Sequence, residues 1–422
     1  MHTIRGIIVA EKVMPYRCAL YRGLASQPDV EWTVLFLDRW GQEQRYDPTM
    51  NATYSWGDET LSGFQYKFLE NKGRFDVTYT GADRTEEEER RGAIGTFRYY
   101  VRTYFGLFSP AVAKEVWRSD ARVVIVENYS SLSSVLAAVC ARISGKKVFL
   151  RGEATLRPDQ SRAIRMLKAL YLRLLFPIYS GFMYSCGANR EFYLAYGASK
   201  NKLVFVPSAV DEAVFGSMDQ DVRARLREKL RARYGIPSDS IVVLGVGRLV
   251  PRKNWGEAID AFVEAHQRCE RLVLAIIGDG PCRTELEERV PEGLRNSAHF
   301  LGFKSQAEIA ELYFLADVMV QSSVYDPSPK VLNEALLAEL PLVVSDRVGT
   351  AGDVCVDGKN GFVYRVGDRE SLAERLQELA EDGELRARFG EGSRELSRLW
   401  SIDTGVQNIL EASCAAVKMK PL

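Results

Sequence analysis

Residues 325–346 read YDPSPKVLNEALLAELPLVVSD and pass from a proline-rich loop to an apolar helix and then to an apolar strand. Ser328 followed by Pro329 predicts a helix start, because serine can cap a helix and proline suits its first position. The apolar segment ADVMVQSS comes before this stretch. The helix would therefore start at the carboxyl end of a strand, where its free N–H groups favour an anion. Two carboxylates, Asp326 and Glu334, lie eight positions apart across this helix start.

The alternation of apolar strands and helices extends over the second half of the chain. Near-continuous apolar segments predict buried strands, and the segments between them predict helices at 254–269, 281–290, 305–315 and 329–339. Apolar strands with intervening helices are typical of a parallel sheet that is covered on both faces. The strand segments are SIVVLGVGRL, ERLVLAIIGDG, SAHFLGF, ADVMVQSS, LPLVVSD and GFVYRV.

The first half of the chain alternates in the same way, for example through IRGIIVAE, ARVVIVEN and KKVFLRGE. A charged segment, DQDVRARLREKLRARYGIP, then predicts a connecting helix that ends at Gly235. The chain has 422 residues, which favours two domains. We therefore predict an α/β protein with two Rossmann-like, doubly wound domains facing each other across a deep cleft. They comprise residues 1–215 and 216–401, with a C-terminal helix in 402–422 that packs back on the first domain.

The composition argues against several classes of protein. Lys plus Arg and Asp plus Glu both number 56, so the basic excess typical of a nucleic-acid binder is missing. The seven cysteines are scattered without a C-x-x-C pair, which argues against a zinc site and a disulfide framework. No apolar run reaches the roughly 18 residues of a membrane span, and the N-terminal run is too short for a signal peptide. We expect a cytoplasmic protein that needs neither a metal ion nor another cofactor.

The loop GRLVPRKN, residues 247–254, directly follows a predicted strand and carries three cations. Arg248 and Lys253 are the two best placed at the carboxyl end of that strand. Arginine can grip phosphate oxygens as a fork and lysine can bind them as a point charge, so the loop predicts a diphosphate site. The alternative is a solvated loop whose basic residues bind nothing.

Two weaker signals lie in the same half. GDGP, residues 278–281, follows a strand, and its glycines would let the backbone approach a ligand, although such a pair is more often a simple turn. Lys330 and Glu334 are spaced for a surface ion pair along one helix. The apolar surroundings of Glu334 favour instead a carboxylate that accepts a hydrogen bond from a ribose hydroxyl. Asp326 could accept one from a sugar hydroxyl in the same way.

Together these motifs make the second half similar to the donor-binding domain of retaining glycosyltransferases of family 4, which have the GT-B fold and belong to the glycosyl transferases group 1. The resemblance covers roughly residues 240–370 and rests on GRLVPRKN, IIGDGP, HFLGF, the two carboxylates and AELPLVVSDRVGTAGDVCVDGKNGFVY. The family has Glu-x7-Glu with Gly-Phe-Gly after the first glutamate. This chain has Asp326 in that position and Pro-Ser-Pro after it, so the family's sugar preference does not carry over.

The resemblance implies a role for each matching residue. The predicted catalytic residues are Arg248 and Lys253 on the donor diphosphate, Asp326 on the hydroxyls of the donor sugar and Glu334 on the nucleotide ribose. The backbone at Gly302 and Phe303 would border the base. The other predicted donor-binding residues are Gly247, Gly278, Ser328, Lys330 and Val331.

The first half resembles the family less closely. Its first strand is followed by EKVMPYR rather than by a glycine pair, and the strand end that often carries a histidine in the family reads RGEA here. The predicted acceptor-side residues lie at these two strand ends and are Tyr16, Arg17, Arg151 and Glu153. The alternative for Arg151 and Glu153 is an ion pair that braces the edge of the sheet.

The segment SRAIRMLKALYLRLLF, residues 161–176, predicts an amphipathic helix. Its basic side carries Arg162, Arg165, Lys168 and Arg173, and its apolar side carries Ile164, Leu167, Leu170, Tyr171 and Leu174. Such a helix could rest on an anionic membrane surface and reach a lipid-linked acceptor. The alternative is an ordinary domain helix with a solvated basic face.

These observations predict a glycosyltransferase that moves a sugar from a nucleotide-diphosphate sugar to a hydroxyl of a glycan or lipid-linked acceptor. The family resemblance implies a retaining, metal-independent reaction in surface polysaccharide or glycolipid biosynthesis, in the cytoplasm or at the inner face of the membrane. Two rivals stay open, a nucleotide-sugar epimerase of the same fold and an inactive scaffold or partner protein. The scarcity of histidine argues against the first, and the Asp-Pro-Ser-Pro segment motivates the second.

Overall fold

The computed structural model describes residues 3–47, 52–73, 92–157, 160–216 and 219–418, and the chain divides into two compact units. Unit 1 is drawn from Met1–Arg45, Thr53–Pro207 and Ile402–Leu422, and unit 2 from Tyr46–Ala52 and Ser208–Ser401. The division at Pro207 comes earlier than the predicted boundary at residue 215. The difference arises because Phe215 packs its ring against Tyr313 of unit 2.

Strands and helices alternate along the chain up to residue 207. The strands are β1 (Ile4–Ala10), β2 (Val30–Phe36), β3 (Arg45–Asp47), β4 (Ala52–Tyr54), β5 (Gln65–Phe68), β6 (Val123–Glu127), β7 (Lys147–Gly152), β8 (Gly181–Tyr184) and β9 (Leu203–Phe205). The helices are α1 (Pro15–Ala25), α2 (Gly92–Gly106), α3 (Ala111–Arg118), α4 (Leu132–Ile143), α5 (Arg162–Leu175) and α6 (Gly187–Ala195). A parallel sheet has the order β5-β2-β1-β6-β7-β8-β9, while β3 and β4 pair with each other.

The alternation continues from residue 212 onwards. The strands are β10 (Ile241–Val246), β11 (Leu272–Ile277), β12 (Ala298–Gly302), β13 (Val318–Gln321), β14 (Leu342–Ser345) and β15 (Gly361–Tyr364). The helices are α7 (Glu212–Phe215), α8 (Gln220–Tyr234), α9 (Trp255–Arg268), α10 (Arg283–Arg289), α11 (Gln306–Leu312), α12 (Lys330–Leu337), α13 (Arg369–Glu381), α14 (Gly383–Leu399) and α15 (Ile402–Val417). The strands form a parallel sheet in the order β12-β11-β10-β13-β14-β15.

The apolar pattern explains why both sheets are parallel and covered on both faces. β10 and β11, with the sequences IVVLGV and LVLAII, are buried at every position, which a sheet lying between two layers of helices requires. The helices predicted at 254–269, 281–290, 305–315 and 329–339 are confirmed as α9, α10, α11 and α12, each slightly shorter. The predicted class, two Rossmann-like doubly wound domains, is confirmed for each unit.

The connecting helix and the C-terminal helix also have clear physical causes. α8 ends at Gly235, which takes the left-handed conformation with φ 67° and closes the helix through its backbone N–H. α15 belongs to unit 1 because Ile409 and Leu410 join Leu20 and Leu24 of α1 in one buried cluster. Both chain ends therefore contribute to the first sheet and its helices.

The strand order reverses direction once in each sheet. In unit 2 the chain runs from β10 outward through β11 to β12 and then returns to the other side of β10 as β13. Ligands of parallel α/β sheets bind outside the carboxyl ends of the strands at such a reversal. The loops that leave this point are residues 247–254 after β10 and 322–329 after β13. In unit 1 the reversal lies between β1 and β6.

Candidate active site

Three glycines stand at the carboxyl ends of the neighbouring strands β10, β11 and β12. The Gly247 N–H donates to the Ile277 carbonyl oxygen at 2.9 Å, and the Gly278 N–H donates to the Gly302 carbonyl oxygen at 3.0 Å. Their φ angles are 152°, 142° and 73°, which favour glycine. A Cβ on Gly278 would lie 1.9 Å from the Gly247 carbonyl oxygen. Glycine is therefore required for these strand ends to approach one another so closely.

The loop after β10 is fixed by a tryptophan. The indole N–H of Trp255 donates to the Arg248 carbonyl oxygen at 3.0 Å, and the Trp255 ring is buried. A 3₁₀ turn then covers Pro251–Lys253, and Asn254 takes a left-handed conformation with φ 53° before α9 begins. These features place both predicted diphosphate ligands, Arg248 and Lys253, in one short loop at the carboxyl end of β10.

Lys253 and Asp326 form a buried ion pair that joins the loops after β10 and β13. The Lys253 Nζ lies 2.6 Å from the Asp326 Oδ2, and the two residues are only 6% and 8% exposed. Arg252 lies 3.9 Å from the same oxygen. Burial would raise the pKa of Asp326, but the charges of Lys253 and Arg252 outweigh it and hold that pKa below its ordinary value. Burial lowers the pKa of Lys253, and Asp326 opposes this only in part.

The loop after β14 holds the Asp-Pro-Ser-Pro segment in place. The Gly349 N–H donates to the Asp326 carbonyl oxygen at 2.7 Å, and Val348 forms an isolated bridge with Asp326. A Cβ on Gly349 would lie 2.2 Å from the Pro327 carbonyl oxygen. The prolines of this segment have no N–H and cannot donate a backbone hydrogen bond. The loop after β14 instead donates one to the segment through the Gly349 N–H.

The start of α12 differs from the prediction. The helix begins at Lys330, Pro329 flanks it with an extended ψ of 120°, and within the described chain no side chain caps its first turn. The prediction that Ser328 is the cap and Pro329 the first helical residue is wrong, because the extended proline delays the helix by one residue. The buried Ser328 instead accepts a hydrogen bond at its carbonyl oxygen from the Lys330 Nζ, at 3.1 Å. The uncapped first turn still follows the carboxyl end of β13.

Glu334 lies one turn into α12 and is not an ordinary surface carboxylate. The Tyr313 hydroxyl lies 2.7 Å from the Glu334 Oε2, to which it donates, and 3.1 Å from the Val331 carbonyl oxygen. Burial raises the pKa of Glu334 to about 7, although the Tyr313 hydrogen bond and the Lys330 charge act in the opposite direction. Glu334 is therefore close to half-ionised at neutral pH.

The predicted donor-side residues lie at the carboxyl ends of four adjacent strands. Gly247, Arg248 and Lys253 follow β10, and Gly278 follows β11. Gly302 ends β12 and Phe303 follows it. The segment from Asp326 to Glu334, with Ser328, Lys330 and Val331, follows β13. Phe303 is 39% exposed. This edge of one sheet thus combines cations, glycine-rich backbone, an exposed aromatic ring and two carboxylates.

The segment that carries this geometry matches a known family. Residues 227–396 fit the family described as Glycosyl transferases group 1. This segment, which we call the group 1 domain, is similar to that family over these residues. Over 179 residues the chain is 34% identical to the alpha-D-kanosaminyltransferase of Streptomyces kanamyceticus. Over 166 residues it is 31% identical to the lipopolysaccharide core biosynthesis glycosyltransferase LpsE of Rhizobium meliloti.

The two sequence matches are partial, whereas the fold likeness extends over the chain. The matches cover 42% and 39% of this chain and 46% and 47% of the relatives, so the chain spans about half the length of the curated relatives it matches. The crystal structure of Anabaena Alr3699/HepE in complex with UDP superposes with a TM-score of 0.71 at 18% identity. It covers 98% of this chain and 100% of its own. At this identity the likeness establishes the fold, which is GT-B.

Outside the group 1 domain, a buried carboxylate in unit 1 organises the predicted acceptor-side residues. Glu127 ends β6 and is 2% exposed. Its Oε1 lies 2.6 Å from Arg151 Nη1, and its Oε2 lies 2.8 Å from Arg17 Nη1 and 2.7 Å from the Tyr21 hydroxyl. Burial would raise the pKa of Glu127, yet the two arginines hold it below its ordinary value. The ion pair observed for Arg151 therefore joins it to Glu127.

Tyr16 and Glu153 complete this group of residues. Burial, followed by the negative charge of Glu153, raises the pKa of Tyr16 to about 12. The positive charges of Arg17 and Arg151 lower the pKa of the same hydroxyl. The four predicted acceptor-side residues therefore lie close to one another. Glu11, which follows β1, adds a carboxyl whose pKa is raised by burial and whose Oε1 has no hydrogen-bond partner among the described residues.

Sequence reasoning missed three residues that shape the two sites. Glu127 could have been found, since it is the one acid in the strand VVIVE and stands at its carboxyl end. Glu11 follows β1 in the same way. Tyr313 gives no local signal, because it lies in a 3₁₀ turn after α11 and meets Glu334 only in the fold. The motif loops of the group 1 domain could therefore be recognised in the sequence, whereas the supporting residue Tyr313 could not.

Proposed function

We propose that this protein transfers a sugar from a nucleotide-diphosphate sugar to an acceptor hydroxyl with retention of the anomeric configuration. The observation that carries the proposal is that Arg248, Lys253 and the uncapped start of α12 follow the adjacent strands β10 and β13 at the carboxyl edge of one sheet. Cations and helix N–H groups at such an edge suit a diphosphate. The crystal structure of the Anabaena relative is described as a complex with UDP, which supports a nucleotide ligand.

In this proposal the bond between the anomeric carbon and the diphosphate oxygen breaks, and its electron pair stays on the diphosphate. Arg248, Lys253 and the positive end of α12 stabilise the developing charge, which is the work that a metal ion does in other folds. The acceptor oxygen forms the new bond on the face that the diphosphate leaves. Its proton passes to a departing phosphate oxygen, so the reaction needs neither a protein nucleophile nor a metal ion.

For the remaining donor contacts we propose the roles that the family resemblance implies. The Glu334 carboxylate would accept a hydrogen bond from a ribose hydroxyl, and Phe303 beside Gly302 would border the base. The buried pair of Lys253 and Asp326 gives Asp326 a second role besides contact with the sugar. Its negative charge raises the pKa of Lys253, which burial lowers, and so favours the ammonium form.

We also propose that the acceptor is a glycan or a lipid-linked molecule in surface polysaccharide or glycolipid biosynthesis. The Rhizobium relative is a lipopolysaccharide core biosynthesis glycosyltransferase, which supports this class. Tyr16, Arg17, Arg151 and Glu153 would contact the acceptor. Contact of residues 161–176 with the inner face of a membrane would bring a lipid-linked acceptor within reach.

A panel of UDP-, GDP- and ADP-sugars tests the proposal. The purified chain should hydrolyse one donor class slowly without an acceptor and should do so in the presence of EDTA. The anomer first formed in that reaction, followed by proton NMR, should have the configuration of the donor. Binding of none of the nucleotides would overturn the proposal and favour the inactive scaffold, whereas interconversion of epimeric donors would favour the epimerase.

A further inference from the structure

Helix α5 exposes an apolar stripe to solvent. Met166, Leu167, Leu170 and Leu174 are 68%, 66%, 61% and 71% exposed, whereas its buried residues are Leu172 and Leu175. α5 therefore exposes apolar side chains in addition to the solvated basic face of the predicted alternative. A contiguous group of exposed apolar side chains is typical of a surface that meets another apolar phase.

Helix α2 packs beside α5 and has exposed apolar residues of its own. The Tyr104 ring packs edge-on against Tyr171 of α5 with ring centroids 6.4 Å apart, and the Gln160 side chain donates to the Tyr100 hydroxyl at 2.9 Å. Tyr100 and Phe105 of α2 are themselves 37% and 47% exposed. The exposed apolar residues of α2 and α5 thus belong to neighbouring helices, and we call them together the α2–α5 surface.

The charged residues of α2 and α5 all have one sign. Residues 92–114 and residues 160–190 contain no Asp or Glu, in a chain whose net charge is zero. The exposed cations on the two helices are Arg98, Arg102, Arg162, Arg165 and Arg173. Lys168, which the sequence pattern placed with these cations, lies over the Phe192 ring at 4.7 Å, and burial lowers its pKa to about 8. The arginines therefore supply the positive charge of the surface.

We propose that the α2–α5 surface docks unit 1 on an anionic lipid bilayer. Apolar side chains beside arginines fit such a bilayer. The leucines would enter the boundary between the headgroups and the acyl chains, while the arginines would contact anionic headgroups. A second copy of the chain is a poorer occupant, since it would bring one all-basic surface against another. Among the described residues no helix is long and apolar enough to span a bilayer. The inference deepens the membrane contact proposed above and is independent of sugar transfer.

Vesicle sedimentation with the full chain tests the docking. The chain should bind vesicles of phosphatidylglycerol and phosphatidylcholine at least tenfold more tightly than vesicles of phosphatidylcholine alone, since each arginine at an anionic surface contributes about a fivefold gain. The double variant Leu170→Glu with Leu174→Glu should lose at least tenfold in affinity. Ile143→Glu on α4, where Ile143 is 68% exposed, is the matched control and should bind as the wild type does.

The role of α2 is tested separately with Phe105→Glu, which should weaken vesicle binding at least threefold. Wild-type binding by this variant would overturn the two-helix surface and leave a contact through α5 alone. Absence of wild-type binding to any vesicle would overturn membrane docking altogether. A lipid-free dimer that the α5 double variant dissociates would assign the surface to a second copy instead. Donor hydrolysis, measured without lipid, should be equal in all these variants, so a failure of docking is distinguishable from a failure of the proposed transfer.

Discussion

The two units each place a buried carboxylate among cations at the carboxyl edge of a parallel sheet, but the charge balance differs. In unit 1 the Glu127 carboxylate accepts hydrogen bonds from Arg17, Arg151 and the Tyr21 hydroxyl at 2.6–2.8 Å, so both of its oxygens have partners. In unit 2 Asp326 pairs closely with Lys253 alone. Arg252, Arg248 and Lys330 also act on this pair. With Glu153, whose negative charge also acts on Arg17, the first group has two carboxylates for two arginines and is close to neutral, whereas the second has excess positive charge.

The difference indicates what each group can do. A carboxylate that is saturated by two arginines orients them and braces the sheet, and breaking such a buried group is costly. A carboxylate outnumbered by cations leaves a positive field that an incoming diphosphate can neutralise. The comparison therefore assigns an orienting role to Glu127 and an anion-binding role to the surroundings of Lys253. This contrast can be tested by substitutions in each group, with protein stability and donor hydrolysis measured separately.

The largest effect is expected for Lys253→Met. Loss of a preorganised cation from the developing charge on the diphosphate should lower donor hydrolysis about 100- to 1,000-fold. Steady-state kinetics with the donor found in the panel measures this loss. Lys359→Met is the matched control, because Lys359 pairs with Glu395 at the surface, and its activity should stay at the wild-type level.

The double variant Lys253→Met with Asp326→Asn separates the two consequences of that change. Lys253→Met alone leaves the Asp326 carboxylate buried without its close partner, which destabilises the fold. The second substitution should restore the melting temperature but not the activity. Recovery of donor hydrolysis in the double variant would mean that Lys253 serves only to neutralise Asp326, and its assignment to the diphosphate would be wrong.

For Glu127→Gln the expected effect is on stability rather than on donor chemistry. Breaking a buried carboxylate group of this kind costs about 3–5 kcal/mol of unfolding free energy, to be measured by urea denaturation. Glu31→Gln, which changes the exposed partner of Arg5, should leave the unfolding free energy close to that of the wild type, because exposed ion pairs contribute little. Donor hydrolysis by Glu127→Gln should stay normal, and a loss as large as that of Lys253→Met would erase the contrast between the units.

The pH dependence of the Glu127 effect has a definite sign. The folded pKa of Glu127 lies below its ordinary value of 4.5, so the ionised group stabilises the fold fully above that value. This stabilisation is lost as the pH falls through the lower folded pKa. The stability gap between the wild type and Glu127→Gln should therefore narrow in acid, and a gap that widens there would contradict the orienting role.

The two units also differ in how far they could be predicted. The fold follows from the apolar strands and short connections, because parallel sheets need strands that are buried on both faces. The donor side followed from loops such as GRLVPRKN, whose chemistry is local. The Glu127 group was predicted only in part, since Arg17 and Arg151 were placed together but Glu127, which ends β6 and could have been found, was missed. The error at Ser328 has a local cause, because backbone angles at consecutive turn residues are not determined by residue type alone.

Glu334→Gln should remove a pH dependence from nucleotide binding. With a pKa of about 7, the Glu334 carboxyl goes from mostly neutral at pH 6 to mostly ionised at pH 8. If the ionised form accepts the ribose hydroxyl, the wild type should gain up to about tenfold in affinity over this range relative to the variant. Calorimetric titration measures the affinity of both proteins for the same nucleotide at each pH, so the ionisation of the nucleotide affects both proteins equally. Affinities that change with pH in the same way in both proteins would refute the ribose contact.

The stability of the same pair of proteins provides an independent check. The folded pKa of Glu334 is raised, so its neutral form is favoured in the fold, and the wild type loses stability as the pH rises from 4.5 towards 7. Glu334→Gln stays neutral throughout. Its melting temperature relative to the wild type should therefore increase between pH 5 and pH 8, and a constant difference would contradict the raised pKa.

The smallest effect is expected for Phe303→Ala. This variant separates binding of the base from binding of the diphosphate within the donor site. Loss of an exposed ring that borders the base should weaken nucleotide binding about fivefold, which corresponds to about 1 kcal/mol of aromatic contact. Leu399→Ala, at a 58% exposed position of unit 2, is the control and should bind normally. Inorganic pyrophosphate carries the charges but lacks the base, so Phe303→Ala should bind it as the wild type does, whereas Lys253→Met should not. If Phe303→Ala weakens both ligands equally, the ring supports the loop rather than the base.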